Sequence, residues 1–300
     1  MGKPVFRAGS VHVRTPATSA NLGPGFDALG LALDLYDDVV AAVTDEGLSI
    51  DVAGEGADLP RDEKHLVVRA MRTTFDRLGG QPRGLELACA NRIPHGRGLG
   101  SSASAIVAGV MLARGLVLGG EQELTTEGVL ALASEIEGHP DNVAACILGG
   151  LTIAWVDDDG AHAVRVDGVG GVTPVLAIPP FESSTKKARG LLPAEVPHAD
   201  AARNAGRSAL LVAALTGSPR SLFAATEDSL HQSYRVSAMK RSAALMEKLR
   251  ARGLSAVISG AGPTVLTLAR DQVEIEAAKA LISETWVTRV VQIGDGAQIV

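Results

Sequence analysis

A 300-residue chain in which 46% of residues are apolar and 21% are charged can bury a large core without disulfide or metal staples, as one large α/β domain or two packed ones. The net charge is −6 and no Lys/Arg run is dense, which excludes the basic face of a nucleic-acid binder; anionic substrates would be held by local groups, helix N-termini and single arginines. No stretch is long and apolar enough for a membrane span, the opening MGKPVFRAGSVHV lacks an apolar leader, and MGKPVF lacks the Ser or Thr of a myristoylation site, so a soluble cytoplasmic protein with no membrane partner is expected.

Residues 10–16 alternate and end at Pro16, which predicts a strand. Residues 17–30 are rich in Gly, Ser and Asn and read as a loop. Strand patterns return over 31–43 and 48–53, followed by a helix over 64–78 that stops at Gly79-Gly80, and a strand over 84–90. After a loop from Asn91 to Gly100, a run of small and apolar residues opens at Ser101 and closes on Arg114 and a glycine pair, the signals of a tightly buried helix. Residues 126–138 read as a helix, HPDNVAACILGG as a short one, and 151–157 and 173–178 as strands. Pro179-Pro180 is a sharp break. Beyond it come helices over 199–216, 219–230 and 237–252, a strand–turn–strand over 255–269, a helix over 272–283 and a strand over 286–292, so the fold class is α+β. Cys89 and Cys146 have no metal-like spacing and read as buried free thiols.

The strongest chemical signal is Ile93-Pro94-His95-Gly96-Arg97-Gly98-Leu99-Gly100-Ser101-Ser102-Ala103, followed by Ser104. It follows a strand and opens a helix. Glycines let backbone approach a ligand, and the first helical turn offers unpaired N–H groups at the positive end of the dipole, which together cradle phosphate. It is not a Walker A loop, because no Gly-Lys-Ser/Thr follows, and its glycines at 96, 98 and 100 do not fit the dinucleotide frame. Taken alone, such a loop is equally a turn with an N-cap. The pattern P-x-x-x-G-L-G-S-S-A, carried by Pro94, Gly98, Leu99, Gly100, Ser101, Ser102 and Ala103, resembles the ATP-binding motif of GHMP kinases. That resemblance implies ATP on residues Pro94 to Ser104, and Mg²⁺ held by a serine of the loop, Ser101 or Ser102, with Ser102 preferred.

Further motifs are similar to the homoserine-kinase branch of that family. Pro16-Ala17-Thr18-Ser19-Ala20-Asn21-Leu22-Gly23-Pro24-Gly25-Phe26-Asp27 offers Asn21 and Asp27 to a polar amino-acid substrate, the Asp27 carboxylate suiting an α-ammonium; a capped turn is the alternative. Glu137-Gly138-His139-Pro140-Asp141-Asn142-Val143-Ala144 implies Glu137 as a second Mg²⁺ ligand, His139 as a substrate contact and Asn142 as the group that orients the homoserine hydroxyl, with Asp141 left open as a general base. Arg189 in Ser184-Thr185-Lys186-Lys187-Ala188-Arg189, and Arg235 in the segment from Asp228, are implied to clamp a carboxylate. Ser259-Gly260-Ala261-Gly262-Pro263-Thr264 resembles the family's turn beside the phosphate loop. Lys64-His65-Leu66-Val67 departs from the family's Asn-Leu near adenine, and His65 is left to bond or stack on the base.

The resemblance implies a two-lobed fold: a ribosomal-protein-S5-like N-terminal lobe (residues 1–173) and a ferredoxin-like C-terminal lobe (174–300), with ATP between them. It implies phosphorylation of L-homoserine in threonine biosynthesis, and a homodimer. The alternatives are a GHMP kinase for another small alcohol such as mevalonate, and a GHMP-fold sensor without turnover.

Overall fold

Residues 3–300 are described by the computed structural model, which contains two sheets with helices packed against them. The first sheet holds β1 (Val11–Asn21), β2 (Gly25–Thr44), β3 (Gly47–Gly54), β4 (Gly84–Asn91), β5 (Leu151–Asp157), β6 (Gly160–Val166) and β11 (Gln298–Ile299). Its order is β11-β1-β2-β4-β3, with β5 and then β6 added beside the first part of β2. The 20-residue β2 makes this possible: Asp38–Thr44 pairs with β4, while Leu29–Leu31 pairs with β5. The helices α1 (Leu66–Arg77), α2 (Ser101–Leu116), α3 (Gly120–Glu123), α4 (Thr126–Glu137) and α5 (Asp141–Leu148) belong to this half of the chain. Phe75, Met71, Val107, Leu112 and Leu87 are among the side chains of its core, each worth roughly 1.5–3 kcal/mol when buried.

The second sheet is antiparallel, in the order β10-β7-β9-β8, from β7 (Thr173–Ile178), β8 (Ala256–Ile258), β9 (Val265–Ala269) and β10 (Val287–Val290). Its helices are α6 (Thr185–Arg189), α7 (His198–Thr216), α8 (Leu222–Ala225), α9 (Gln232–Arg235), α10 (Lys240–Arg250) and α11 (Gln272–Lys279). Leu22, Leu31 and Leu99 share one apolar cluster with Leu176, Leu211 and Leu266, so the two sheets meet through a continuous core. The chain end returns to the first sheet, where Ile299 pairs with Val13 and Ile293 bridges Leu33. No helix among the described residues is long and apolar enough to cross a membrane. Both cysteines are free and buried, and burial raises the Cys89 thiol to about 11.

Three sequence readings are corrected. Residues 17–21 and 25–30 are strand, not loop: Thr18, Ser19 and Ala20 pair with Ala32, Leu31 and Gly30, and the small polar side chains that suggested a loop are satisfied inside the core. Residues 219–230 are not one helix. A 3₁₀ turn at Pro219–Ser221 and α8 end at Ala225. The Asp228 carboxylate then takes the amides of Leu230, His231 and Gln232 (2.9, 3.2 and 2.7 Å), which restarts the chain as α9. The strand β6, carried by GAHAVRV, was not expected at all; it hairpins back on β5 after the Asp157–Gly160 turn.

Candidate active site

The glycine loop is held through its own backbone, by side-chain and main-chain partners from several elements. The buried Asp37 carboxylate accepts the amides of Arg92 and Ile93 (2.6 and 2.9 Å) at its start. Further on, Leu99 O accepts from the Thr18 amide (3.0 Å), Gly98 O from Ser259 Oγ (2.6 Å), and Arg97 O from the Thr264 amide (3.1 Å). Gly98 has φ +75°, and a Cβ there would press into the carbonyls of Ser259 and Gly262. Glycine is therefore demanded by conformation and by close approach together. The loop delivers the chain into α2, whose first-turn amides have no intrahelical acceptor. The Ser259–Thr264 turn braces this arrangement, with Gly260 N donating to Ala20 O (3.1 Å) and Gly260 O accepting Asn21 Nδ2 (3.0 Å).

Two cavities flank the helix start. One of about 150 Å³ brings together Gly98, Ser102, Glu137, Asn142, Arg189 and Arg235. The other, of about 230 Å³, is lined by His65, Lys64, Leu59, Val67 and Ser101. A larger hollow of about 500 Å³ behind Pro140, between α4 and the β5–β6 hairpin, has neither the glycine loop nor the arginine pair.

In the smaller cavity Ser102 Oγ donates to Glu137 Oε2 at 2.6 Å, so Ser102 is the serine that meets the glutamate. A hydroxyl and a carboxylate are hard oxygen donors of the kind magnesium takes, so the donor set of this pair suits that ion. Burial raises the Glu137 pKa, against the opposing effects of Ser102 and His139. Asp141, 1% exposed, accepts His139 Nδ1 (2.7 Å) and the Asn142 amide (2.8 Å) on the same oxygen. Burial disfavours the imidazolium of His139, but the hydrogen bond and charge of Asp141, with Glu137, outweigh it, and its pKa is raised. Asn142 Oδ1 accepts the hydroxyl of Thr18 (2.8 Å), a residue the sequence reading passed over.

The arginines differ in their partners. Arg189 makes a two-pronged ion pair with Asp27 (2.9 and 2.6 Å), so the two predicted substrate contacts occupy each other. Asp27 sits at φ +55° and gives its amide to Asn21 Oδ1 (3.0 Å); with Nδ2 on Gly260, Asn21 braces the turn rather than presenting a free amide. Arg235 is 2% exposed, makes no ion pair among the described residues, and its Nε has no hydrogen-bond partner. What holds it is His231 and Phe26. His231 Nε2 donates to Gly23 O (2.7 Å), which leaves Nδ1 to accept Arg235 Nη1 (3.2 Å); burial lowers the His231 pKa and favours that neutral form. The Phe26 ring lies under both guanidiniums, 5.2 Å from Arg235 and 5.6 Å from Arg189. Neither Phe26 nor His231 was singled out in the sequence, although aromatic residues are only 3% of it.

In the larger of the two flanking cavities, His65 is 4% exposed and neither ring nitrogen has a hydrogen-bond partner among the described residues. Pro94, His95 and Gly96 lie along the half-buried loop, while Leu99 and Ala103 belong to the core and reach no ligand with their side chains. Ser104 Oγ is taken by Thr15 Oγ1 (2.8 Å). The Arg97 guanidinium turns away to the carbonyls of Pro179 and His95 (both 3.0 Å) and to Glu182, so only its backbone belongs to the cradle. Asp157, Asp159 and His162 gather at the β5–β6 tip, and none of them lines either flanking cavity.

The sequence profile of the GHMP kinases N terminal domain matches residues 65–150, and that of the GHMP kinases C terminal domain matches 210–288. A homoserine kinase of Streptomyces coelicolor is 61% identical over 95% of this chain and 93% of its own length; one from Streptomyces avermitilis is 60% identical over 95% and 94%. Among solved structures, homoserine kinase from Cytophaga hutchinsonii superposes with a TM-score of 0.82 at 25% identity, covering all of both chains. Mevalonate kinase of L. major in complex with R-mevalonate, at 17% identity and a TM-score of 0.69 over 99% and 100% of the two chains, shares the fold. The two sheets, the glycine loop opening α2 and these likenesses agree, and the chain belongs to the GHMP kinase family, among the homoserine kinases.

Proposed function

We propose that this chain transfers the γ-phosphoryl group of ATP to the side-chain hydroxyl of L-homoserine, giving O-phospho-L-homoserine and ADP. The observation that carries the substrate reading is Arg235: a buried guanidinium with an unpartnered Nε and no carboxylate beside it, in the same cavity as the glycine loop. Buried cations are paired, so the cavity calls for an anionic group of the ligand. Homoserine brings a carboxylate for Arg235 and Arg189 and an ammonium for Asp27. Because Asp27 and Arg189 hold each other, a zwitterion gives each an opposite charge and leaves none alone.

The phosphates are proposed to lie on the backbone amides of Gly98 to Ser102, with His65 at the adenine. Ser102 and Glu137 would hold Mg²⁺, which when bound neutralises charge on the β- and γ-phosphates. Asn142 meets the acceptor hydroxyl. That oxygen attacks the γ-phosphorus, the bond to the bridging oxygen breaks with its electron pair leaving on ADP, and the hydroxyl proton passes to a γ-phosphoryl oxygen or to water. In this reading Asp141 acts by orienting its neighbours: its Oδ1 accepts His139 Nδ1 and the Asn142 amide, which holds Asn142 in place. Phosphoryl transfer depends chiefly on alignment and charge neutralisation, which this arrangement supplies. A division at 173/174 and a homodimer, both resting on the motif resemblance, complete the reading, with a cytoplasmic location as the expectation from composition. Coupled ADP release from purified protein with L-homoserine, mevalonate and other small alcohols tests the substrate: saturable turnover with homoserine is expected, and turnover of mevalonate alone overturns the proposal.

A further inference from the structure

We infer that Thr18 is a positioning residue for phosphoryl transfer, its buried hydroxyl fixing the Asn142 amide so that the NH₂ end is the one offered to the acceptor oxygen. The inference rests on the reading of Asn142 as the group that meets the hydroxyl.

Thr18 is fully buried in β1, and its backbone is pinned on both sides, paired with Ala32 in β2 and donating to Leu99 O of the glycine loop. A β-branched side chain on such a backbone has little freedom at χ1. Its Oγ1 lies 2.8 Å from Asn142 Oδ1. The other end of the amide, Nδ2, lies 3.5 Å from Asp141 Oδ1. Reversing the amide would set an oxygen against that carboxylate and lose an electrostatically favourable contact. Thr18 therefore donates, Oδ1 is consumed, and Asn142 enters the cavity as a donor. Gly100 makes the contact sterically feasible. At φ +69° it passes directly over this pair, and a Cβ there would overlap Thr18 Oγ1 and come within 3.2 Å of Asn142 Oδ1.

Two consequences follow for the reaction. As a donor, Asn142 does not take the hydroxyl proton, and its part is to hold the acceptor oxygen in place while the proton passes to a γ-phosphoryl oxygen or to water. In addition, the glycine loop and the amide are fixed to the same threonine, so the phosphates and the acceptor oxygen are registered against one another. Loss of that registration should appear in turnover rather than in binding.

The test compares Thr18→Val, Thr18→Ala and Thr18→Ser with Asn142→Ala, reading kcat and both KM values alongside thermal midpoints. Removing the hydroxyl is expected to lower kcat by about 10- to 100-fold, with both KM values within about threefold, and Thr18→Ser is expected to restore most of the loss. Thr18→Ala serves if valine destabilises the core. A kcat within about threefold of the parent in either hydroxyl-free variant, or a serine variant as slow as the valine one, overturns the inference. If Asn142→Ala is costly while Thr18→Val is not, only the role of Thr18 falls; if Asn142→Ala is harmless, the reading of Asn142 falls with it.

Discussion

Replacing Arg235 with methionine should move substrate binding and stability in opposite directions. The guanidinium is 2% exposed, lacks a carboxylate partner and has another guanidinium, Arg189, over the same aromatic ring. Both burial and the Arg189 charge lower its pKa. A buried charge without a partner costs several kcal/mol, and methionine keeps most of the side-chain volume while removing the charge. The ligand-free thermal midpoint should therefore hold or rise. With homoserine the balance reverses. Truncating one partner of a buried, hydrogen-bonded charge pair costs about 2–5 kcal/mol. Arg189 stays in place to share the carboxylate, so the lower part of that range applies, about 2–3.5 kcal/mol, or roughly 30- to 300-fold in KM at 1.4 kcal/mol per factor of ten. The carboxylate is remote from the transferred group, so kcat should stay within about tenfold and KM for ATP within about threefold. Initial rates against homoserine at saturating ATP and against ATP at saturating homoserine, with melting curves of the ligand-free proteins, give all four quantities. A homoserine KM within about threefold of the parent, or a midpoint lowered by more than about 5 °C, refutes the reasoning.

Ser102→Ala and Glu137→Gln should each lower kcat by about 10²- to 10³-fold and weaken the response to added Mg²⁺; parental turnover in both would remove the metal assignment. The pH dependence follows from the raised pKa of Glu137, whose charged form burial disfavours in the folded chain. A carboxylate shifted upward adds stability below its unfolded pKa and loses that contribution as pH rises through the folded value. Glu137→Gln should therefore raise the metal-free midpoint near pH 7 and lose that gain toward pH 4; a gain that does not change with pH contradicts it. His65→Leu removes two unpartnered ring nitrogens and should raise KM for ATP by about 3- to 10-fold while inhibition by inorganic tripolyphosphate is unchanged. Asp141→Asn should keep kcat within about tenfold, and a collapse in a folded protein would argue for base catalysis.

The parts of the site that were legible in the sequence are those where backbone chemistry leaves a composition signature. The glycine loop and the serines that open α2 are such a case, because positive φ and close approach demand glycine. Thr18, Phe26 and His231 left no such trace. Thr18 and Phe26 act on partners more than a hundred positions away in the chain, Asn142 for the first and Arg189 and Arg235 for the second, and His231, which meets Arg235 four positions on, is set in that role by its bond to the remote Gly23. Local pattern carries no record of such pairings. The misreading of residues 17–30 has the same cause, since serine and asparagine suggest a loop until their remote hydrogen-bond partners are known. Asp27 and Arg189 were both singled out as ligand contacts, but their mutual ion pair appears only once β2 and α6 are brought together.

The most direct test of the account is a crystal structure with a non-hydrolysable ATP analogue, Mg²⁺ and L-homoserine bound together. The account predicts phosphates on the amides from Gly98 to Ser102, the ion between Ser102 and Glu137, the amino-acid carboxylate on Arg235 and Arg189, and the side-chain hydroxyl beside Asn142. A nucleotide bound in the hollow behind Pro140, or a homoserine whose carboxylate leaves Arg235 untouched, would contradict it.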